Sequence, residues 1–346
     1  MSAAVKRVLR AALHHSPLPE MLLRRRASRA LTILAYHRIG PLPTPDYPFD
    51  EALVSADEEE FAREIRYCRR HMDVISMPEL VNGLELLRSG NDQRGLPERP
   101  AIITFDDGYL DNLTCALPVL RQENVSACFF LCTHIVGTNK IPWWDQIACC
   151  FKNSRAAVFA SPFGSSDPAY RCDQEHLAVD RARFLDNIKA IQWDCALQCL
   201  EDLREKTGVV PEEYLDRPLF LTWDEARQLV AQGMSVGGHT RTHPILSQVD
   251  TMTLEAEVGG CTADLMANMA QQPFAFAYPV GGNAMMSCEA DAAIERAGYR
   301  LSFSYRHGFA NRLPNSLWRL PRLHAEYGQD FSAFRLETAR APLLQN

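Results

Sequence analysis

Short apolar runs alternate with longer stretches of helical periodicity over most of this chain, and this alternation restricts its fold more than any other feature. Strand–helix alternation predicts βαβ units, and therefore an α/β fold with a parallel sheet. With about seven or eight such runs, the sheet is expected to close into a (β/α) barrel. The predicted strands are 31–36, 74–75, 101–105, 127–131, 234–236, 274–277, 300–303 and, as the eighth, 317–323.

The intervening stretches predict helices, and one long stretch breaks the rhythm. Helices are expected at 56–72, 78–88, after the third strand as far as 122, and at 222–232, 251–269 and 287–297. Residues from about 138 to 217 do not fit the alternation and predict a mostly helical insertion in a βα loop. Such an insertion either shapes the substrate pocket or only covers the barrel. The predicted domain organisation is a basic helical segment (1–30), the barrel with its insertion (31–330) and a C-terminal tail (331–346).

Charge is unevenly distributed along the chain. The net charge of −7 over 346 residues gives no argument for nucleic-acid binding. The first 30 residues nevertheless carry about +6, from Lys6, Arg7, Arg10, Arg24, Arg25, Arg26 and Arg29 against Glu20. Apolar residues at helical spacing accompany these charges. The segment is therefore either a helix packed on the domain with a solvated Arg cluster, or a peripheral contact with an anionic membrane surface.

Compartment is predicted from cysteine usage and from the hydropathy of the chain. The eleven cysteines follow no disulfide framework, which favours a reducing compartment. The sequence contains no run of 18 apolar residues, so no transmembrane helix is expected. The N-terminus lacks the apolar core of a secretory signal. We therefore expect a cytoplasmic protein, with peripheral contact to the inner face of the membrane as an alternative.

Two short segments carry the chemistry: TFDDGY at 104–109 and HTRTH at 239–243. Taken alone, adjacent aspartates after a strand are common at turns, and two histidines four apart are common in polar loops. Together, each after an apolar run, they offer one carboxylate and two imidazoles, the ligand set of an open catalytic metal site. The second carboxylate could then take a proton from the attacking water. Pro244 disfavours the α conformation for His243, so the histidine pair is expected on a strand-to-helix loop.

These segments resemble the polysaccharide deacetylases, the NodB-homology class of carbohydrate esterase family 4. The resemblance covers roughly 31–325 and includes YHR at 36–38, TFDDG at 104–108, WD at 223–224, GGHTRTH at 237–243 and FAYPVGG at 276–282. It implies a distorted (β/α) barrel, a divalent metal ion, most often Zn²⁺, and removal of an N- or O-linked acetyl group from a sugar. It also implies that Asp107, His239 and His243 hold the metal and that Asp106 is the general base. The backbone N–H of Tyr109 or a neighbour would stabilise the oxyanion.

The general acid and the partner of the base are less clearly specified. The family pattern of a late Leu-x-His segment points to His324, whereas His37 follows the first strand at the correct barrel end, and His307 is a third candidate. Many family members carry an Arg that orients the base, and Ala277 stands at that position here. Arg322 and Arg241 are the candidate substitutes. The remaining candidates for substrate contact are Tyr278, Trp143, Trp144 and Arg322.

The function that these residues predict is metal-dependent removal of an acetyl group from a sugar or glycan precursor. In the cytoplasm the substrate would be a precursor, such as a lipid-linked sugar, or a polymeric glycan before export. Two alternatives stay open: hydrolysis or deformylation of a non-sugar amide, and a barrel without catalysis that binds glycan. The intact set of Asp106, Asp107, His239 and His243 argues against the second alternative, whereas Ala277 supports it.

Overall fold

Seven parallel strands close into a barrel in chain order. The computed structural model describes residues 16–26, 30–90, 95–270, 272–311, 316–325 and 328–339. The barrel strands are β1 (Ala30–Tyr36), β2 (Pro100–Phe105), β3 (Ala127–Leu131), β4 (Ser235–Gly238), β5 (Ala275–Ala277), β6 (Leu301–His307) and β7 (Leu320–His324). Each pairs in parallel with the next, and β7 pairs with β1 to complete the ring. The predicted α/β barrel is therefore confirmed.

Six of the described strand segments lie outside this ring: two form a ribbon in the insertion, and the other four lie beside the barrel. The predicted strand at 74–75 appears as Asp73–Val74, which pairs with the outer edge of β2 rather than joining the barrel. The predicted eighth strand appears as β7 and is the seventh member of the ring. Arg38–Ile39 pairs with Val54–Ala56 over the first βα loop, and Ala310–Asn311 runs antiparallel to β1.

Helices cover the barrel, and their starts follow from capping side chains. They are α1 (Leu18–Arg26), α2 (Glu58–His71), α3 (Met77–Arg88), α4 (Leu117–Gln122), α5 (Trp143–Lys152), α6 (Leu177–Ile188), α7 (Trp193–Thr207), α8 (Trp223–Ala231), α9 (Thr251–Met269), α10 (Cys288–Arg296) and α11 (Phe331–Ala339). Ser76 and Thr222 form capping boxes at the starts of α3 and α8, and Asp57 and Asp250 accept backbone N–H groups at α2 and α9. A π-helical turn, Asn112–Ala116, precedes α4.

The segment 138–217 forms a helical layer with its own apolar core. It contains α5, α6 and α7 and a two-stranded antiparallel ribbon of Val158–Phe159 and Tyr170–Arg171. Phe151, Tyr170 and Phe184 are fully buried and contact one another edge to face. This core lets the insertion hold its shape while it packs beside the barrel.

The two ends of the described chain meet on one side of the barrel. Helix α1 packs against α11, where the Arg335 guanidinium bonds the Glu20 carboxylate at 2.7 Å and the Ser16 carbonyl at 2.8 Å. Helix α11 occupies the first part of the expected C-terminal tail. Apart from α1, most of the basic segment predicted at 1–30 lies outside the described residues. No helix in the described part of the chain is both long and apolar enough to cross a membrane. All eleven cysteines are described and all are free thiols.

Candidate active site and metal centre

A cavity of about 410 Å³ opens at the carboxyl ends of the barrel strands, which is the end where such barrels perform chemistry. It brings together five of the residues predicted from sequence: His37, Asp107, Trp143, Trp144 and His243. The other lining residues, which the sequence analysis did not single out as site residues, are Asp50, Leu53, Leu185, Lys189, Pro279, Val280, Gly281 and Tyr305. Four of the thirteen, Trp143, Trp144, Leu185 and Lys189, come from the insertion, so the insertion forms part of the cavity wall.

The turn after β2 points the Asp107 carboxylate into the site. Asp107 has a φ of +73° and Gly108 a φ of +86°, a left-handed pair that ends the strand abruptly. A non-glycine residue in this region costs free energy, and such strain is concentrated at functional sites. The Asp106 N–H still bonds the Tyr36 carbonyl of β1 at 2.9 Å. Asp106 therefore continues the barrel wall, whereas Asp107 departs from it.

The loop after β4 carries both histidines, as predicted from Pro244. Gly237 and Gly238 precede it because side chains do not fit there: a Cβ on Gly238 would lie 2.0 Å from the Tyr299 hydroxyl. His239 follows the strand directly, and His243 has a φ of +63°. The loop runs without a helix until α9 begins, so the two imidazoles converge through loop geometry.

The three predicted ligand atoms meet without forming hydrogen bonds to one another. Asp107 Oδ1 lies 3.4 Å from His239 Nε2 and 3.5 Å from His243 Nε2, and all three side chains are buried. Asp107 Oδ1 has no hydrogen-bond partner in the described part of the chain. Atoms bound to a zinc ion at about 2.0–2.1 Å in tetrahedral geometry are roughly 3.3 Å apart. The spacing and the unpartnered oxygen both fit a divalent cation held by these residues.

A neighbouring carbonyl fixes the orientation of His239, and burial sets the charge of His243. The Ala277 carbonyl lies 2.7 Å from His239 Nδ1, which leaves Nε2 free to face Asp107. Burial lowers the pKa of His243 to about 3, so its imidazole is neutral, the form that binds metal. For His239, burial lowers the pKa, but the nearby Asp106 and Asp107 carboxylates reverse this and raise it.

A buried carboxylate that sequence reasoning missed shapes the histidine loop. Glu257 of α9 accepts hydrogen bonds from the backbone N–H groups of Arg241 and Thr242, at 2.8 and 2.9 Å, and from the Thr242 hydroxyl at 2.6 Å. These bonds curl the chain between His239 and His243. A signal was available, because Glu257 is an acid at helical spacing within the apolar face of Leu254, Val258 and Cys261.

Cys132 also lies near the ligands, yet it suits the metal less well than His243. Its sulfur lies within 4.8 Å of ligand atoms of Asp107 and His239. However, the thiol donates a hydrogen bond to the His239 carbonyl at 3.3 Å, and burial raises the pKa of Cys132 well above its ordinary value. A neutral thiol is a poor ligand, and Cys132 packs in a buried cluster with Tyr109, Ile135 and Phe220.

Asp106 is held by a buried guanidinium. Arg322 donates two parallel hydrogen bonds, from Nη1 to Oδ1 at 2.8 Å and from Nη2 to Oδ2 at 2.7 Å, and it is fully buried. Burial alone would raise the pKa of Asp106, but the Arg322 charge overcomes this and lowers it. Arg322 thus lies beside the predicted base, and neither Arg322 nor Asp106 is among the residues that line the cavity. Arg241, the other candidate, pairs with Asp264 at 2.8 Å instead.

The three candidate acids occupy different environments. His37 lines the cavity, and its backbone is fixed by the Ser55 hydroxyl at 3.1 Å and the Asn112 amide at 2.7 Å. His324 does not line the cavity. Its ring stacks on Tyr305 with centroids 3.8 Å apart, and burial lowers its pKa to about 3. The exposed His307 faces Glu337 at 3.4 Å.

The tyrosines serve the site differently from each other. The Tyr109 hydroxyl is buried, donating to Asp145 at 3.0 Å and accepting from Trp144 Nε1 at 3.0 Å. Tyr109 is fully buried and is not among the residues that line the cavity, so its backbone N–H stays a predicted oxyanion donor. The Tyr278 hydroxyl instead donates to Asp291 at 2.6 Å, and only the residues after it reach the cavity. The structure therefore does not bring the Tyr278 side chain to the site.

Both predicted tryptophans are wall residues fixed against His243. Trp143 Nε1 donates to the His243 carbonyl at 3.1 Å, and the Trp144 ring centroid lies 4.2 Å from that of the His243 imidazole. Each indole is nearly buried, with a small part of its surface open to the cavity. They therefore brace the ligand loop as well as limiting the space beside it.

Comparison with known proteins gives one family and a common fold. Residues 93–302 match the family model described as polysaccharide deacetylase, a range that includes both the aspartate and the histidine segments. No curated protein matches the sequence.

Among solved structures, the deacetylase PplD of Streptococcus pyogenes, determined with acetate, is 17% identical with a TM-score of 0.57, covering 90% of this chain and 98% of that one. IcaB of Ammonifex degensii is 18% identical with a TM-score of 0.54, covering 90% and 96%. A de-N-acetylase of Aggregatibacter actinomycetemcomitans is 13% identical with a TM-score of 0.56, covering 89% and 99%. At these identities the likeness is one of fold.

Proposed function

The chain belongs to the polysaccharide deacetylase family, and from this premise we propose that it is a metal-dependent hydrolase that removes an N-acetyl group, or an O-acetyl group, from a sugar. One observation carries the proposal. The buried ligand set of Asp107, His239 and His243 lies next to a second carboxylate, Asp106, that is ionised by its own guanidinium. A metal site and a separate base are the two requirements for hydrolysing an unreactive amide.

Asp107, His239 and His243 would hold the cation, for which Zn²⁺ is the best match to one carboxylate and two imidazoles. When bound, it would supply a Lewis acid for the acyl carbonyl and lower the pKa of the attacking water. This assistance matters here because Arg322 lowers the pKa of Asp106, and a weak base cannot deprotonate ordinary water efficiently.

The chain's own residues would perform the proton transfers. Asp106 accepts the proton of the water that attacks the acyl carbon. The Tyr109 N–H donates a hydrogen bond to the acyl oxygen as negative charge develops on it. His37 protonates the leaving nitrogen, because it lines the cavity whereas His324 is stacked under Tyr305. The C–N bond then breaks to release acetate and the free amine.

The absence of the usual Arg at position 277 does not favour an inactive barrel. Arg322 reaches Asp106 from β7 and forms the same kind of two-point contact that an orienting Arg provides. The Ala277 carbonyl keeps a further role, holding His239 in the orientation for metal binding. An intact base, ligand set and acid together support catalysis.

The substrate that we propose is an acetylated glycan or a precursor of one, in keeping with the family. A lipid-linked precursor at the inner face of the membrane would suit the basic residues of 1–30, which can bind anionic lipid. Co-sedimentation with anionic vesicles, compared with neutral ones and with protein lacking residues 1–15, tests this part. No retention on anionic vesicles would refute the membrane contact and leave the deacetylase proposal unaffected.

Metal analysis paired with acetate release tests the main proposal. The purified protein, loaded with Zn²⁺, should hold about one ion per chain and release acetate from a panel of N-acetylated sugars. His239→Ala should lose both properties. His71→Ala is the matched control, because this histidine lies at the end of α2, its ring contacts Tyr67, and it does not line the cavity. Metal without acetate release from any sugar would refute the proposed activity and direct attention to non-sugar amides. A protein that binds no metal would refute the mechanism.

A further inference from the structure

The cavity wall includes a lysine that has no role in the proposed reaction. Lys189 follows the end of α6 in the insertion and is the one Lys or Arg among the described residues that line the cavity. No acidic group in the described part of the chain forms an ion pair with its side chain. Leu185, one helical turn earlier, lines the same wall. The end of α6 therefore contributes an apolar residue and a charged residue to the cavity wall.

The backbone of Lys189 is fixed relative to the metal ligands. The Gln248 amide donates a hydrogen bond to the Lys189 carbonyl. The Gln248 carbonyl in turn accepts the Trp193 N–H at 3.1 Å. Because Gln248 belongs to the loop that continues from His243 to α9, these bonds tie the insertion to the histidine loop. A lysine on this anchored turn has a defined position relative to the reacting centre, although its side chain can still adjust.

The carboxylates around the cavity already have positive partners. Asp106 pairs with Arg322, and Asp107 is assigned to the metal ion in the proposed function. Asp50 has Arg181 at 3.9 Å and also accepts the Ala52 N–H. The charge of Lys189 is therefore left without a partner in a protein whose net charge is −7. A cation in a concave, partly apolar cleft attracts anions more strongly than one on an open surface.

We propose that Lys189 binds an anionic group on the substrate, so that the enzyme prefers a sugar carrying a phosphate or a carboxylate near the acetylated nitrogen. This inference rests on the proposed function and narrows its substrate class. A cavity of about 410 Å³ is large enough for a sugar with such a substituent. Phosphate and carboxylate share the chemistry that an ammonium group recognises, and the experiment separates the two sources.

Steady-state kinetics with matched substrates tests the inference. The substrates are N-acetylglucosamine 1-phosphate, an N-acetylated disaccharide containing glucuronate, and the neutral methyl glycoside of N-acetylglucosamine. Lys189→Gln should raise KM by about tenfold for one anionic substrate and leave the neutral one unchanged, since a charge-assisted hydrogen bond is lost. Lys189→Arg should keep most of the wild-type preference for the anionic substrate over the neutral one. Lys140→Gln, an exposed insertion lysine outside the cavity, is the control. Equal effects of Lys189→Gln on charged and neutral substrates would overturn the inference.

A binding measurement separates failure of this inference from failure of the proposed function. Calorimetry with glucosamine 1-phosphate, glucosaminyl-glucuronate and methyl glucosaminide needs no turnover. Tighter binding of a charged ligand that disappears in Lys189→Gln supports the anion site, even in a protein that releases no acetate. Equal binding of charged and neutral ligands, unaffected by Lys189→Gln, would overturn the anion site, even in an active enzyme.

Discussion

At the scale of single residues, the Asp106–Arg322 pair determines the state of the proposed base. Both side chains are buried, so neither charge has water as an alternative partner. Lysine in place of Arg322 keeps the charge but loses the two-point contact that orients the carboxylate. We expect Arg322→Lys to lower kcat roughly 10- to 100-fold while metal content is unchanged. Kinetics together with metal analysis check this.

The control for that prediction is Arg319→Lys. Arg319 lies three residues earlier and pairs with Asp291 at 2.7 Å, away from the base. The Arg319→Lys variant should keep nearly full activity. If Arg322→Lys has wild-type kcat, orientation of Asp106 by the guanidinium is not needed for turnover, and the pair would have a structural role only.

The choice of general acid gives a second residue-scale prediction. His37→Gln should lower kcat on an N-acetyl sugar by about 10²- to 10⁴-fold, the usual contribution of a positioned acid. His324→Gln should have a much smaller effect, because burial lowers the pKa of His324 to about 3 and leaves its ring neutral, a poor proton donor. The deficit of His37→Gln should shrink on an aryl acetate, whose leaving group departs without protonation. A large loss in His324→Gln with little change in His37→Gln would reverse the assignment.

The sequence predicted which three side chains converge better than it predicted the groups around them. Asp107, His239 and His243 converge as expected, because residues at the carboxyl ends of neighbouring barrel strands meet at the same edge. Arg322 could be named only as one of two candidates, since which arginine reaches Asp106 depends on the facing of β7 in the closed ring. Tyr278 shows the same limit, because its hydroxyl turns towards α10 and away from the cavity.

At the scale of elements, α9 and the histidine loop form one unit through Glu257. Removing this carboxylate leaves three donors of the loop unsatisfied, so the separation of the two imidazoles is no longer fixed. We expect Glu257→Ala to weaken Zn²⁺ binding roughly 10- to 100-fold, as loss of a group supporting metal ligands commonly does. Competition with a chromophoric chelator measures this without any assay of activity.

Glu255→Ala is the matched control, because Glu255 lies on the same helix but is exposed and pairs with Arg296. It should bind Zn²⁺ as the wild type does. Unchanged Zn²⁺ affinity in Glu257→Ala would mean that the loop keeps its shape through other contacts. One such contact is the hydrogen bond that the Thr240 hydroxyl accepts from the His243 N–H at 3.0 Å.

Whether a segment forms a helix or a strand could be predicted wherever the periodicity was strong. Which strands join the closed barrel could not be predicted. The helix at 251–269 and the strand at 127–131 have the predicted bounds, since capping by Asp250 and a fully apolar run mark them locally. The strand near residue 74 was also predicted, but its place outside the barrel depends on long-range pairing with β2. No local pattern encodes which strands close a ring.

At the scale of the whole molecule, the insertion and the barrel make one site. The barrel alone would leave the ligands in an open depression, whereas the insertion adds two indoles, Leu185 and Lys189 to the wall. The sequence marked the insertion by its broken rhythm but could not show that it reaches the metal ligands. That contact joins residues about 100 positions apart, as in the bond from Trp143 to the His243 carbonyl.

The stability of the whole fold should depend on pH through Glu64, a buried carboxylate on α2 that accepts the Tyr36 hydroxyl at 2.9 Å. Burial raises the pKa of Glu64 to about 8, against 4.5 for an ordinary glutamate. Between these values the folded chain retains a proton that the unfolded chain releases, so stability is fully present below about pH 4.5 and declines as pH rises towards 8. Glutamine accepts the same hydrogen bond and does not titrate.

The free energy of unfolding of Glu64→Gln relative to wild type should therefore increase between pH 5 and pH 8, by up to roughly 1 kcal/mol per pH unit in the middle of this window. Urea denaturation at four pH values measures the difference. Glu59→Gln, on the exposed face of the same helix, should track the wild type throughout. If the difference for Glu64→Gln is independent of pH, the folded carboxyl is ionised over this range as the unfolded one is, and burial does not raise its pKa.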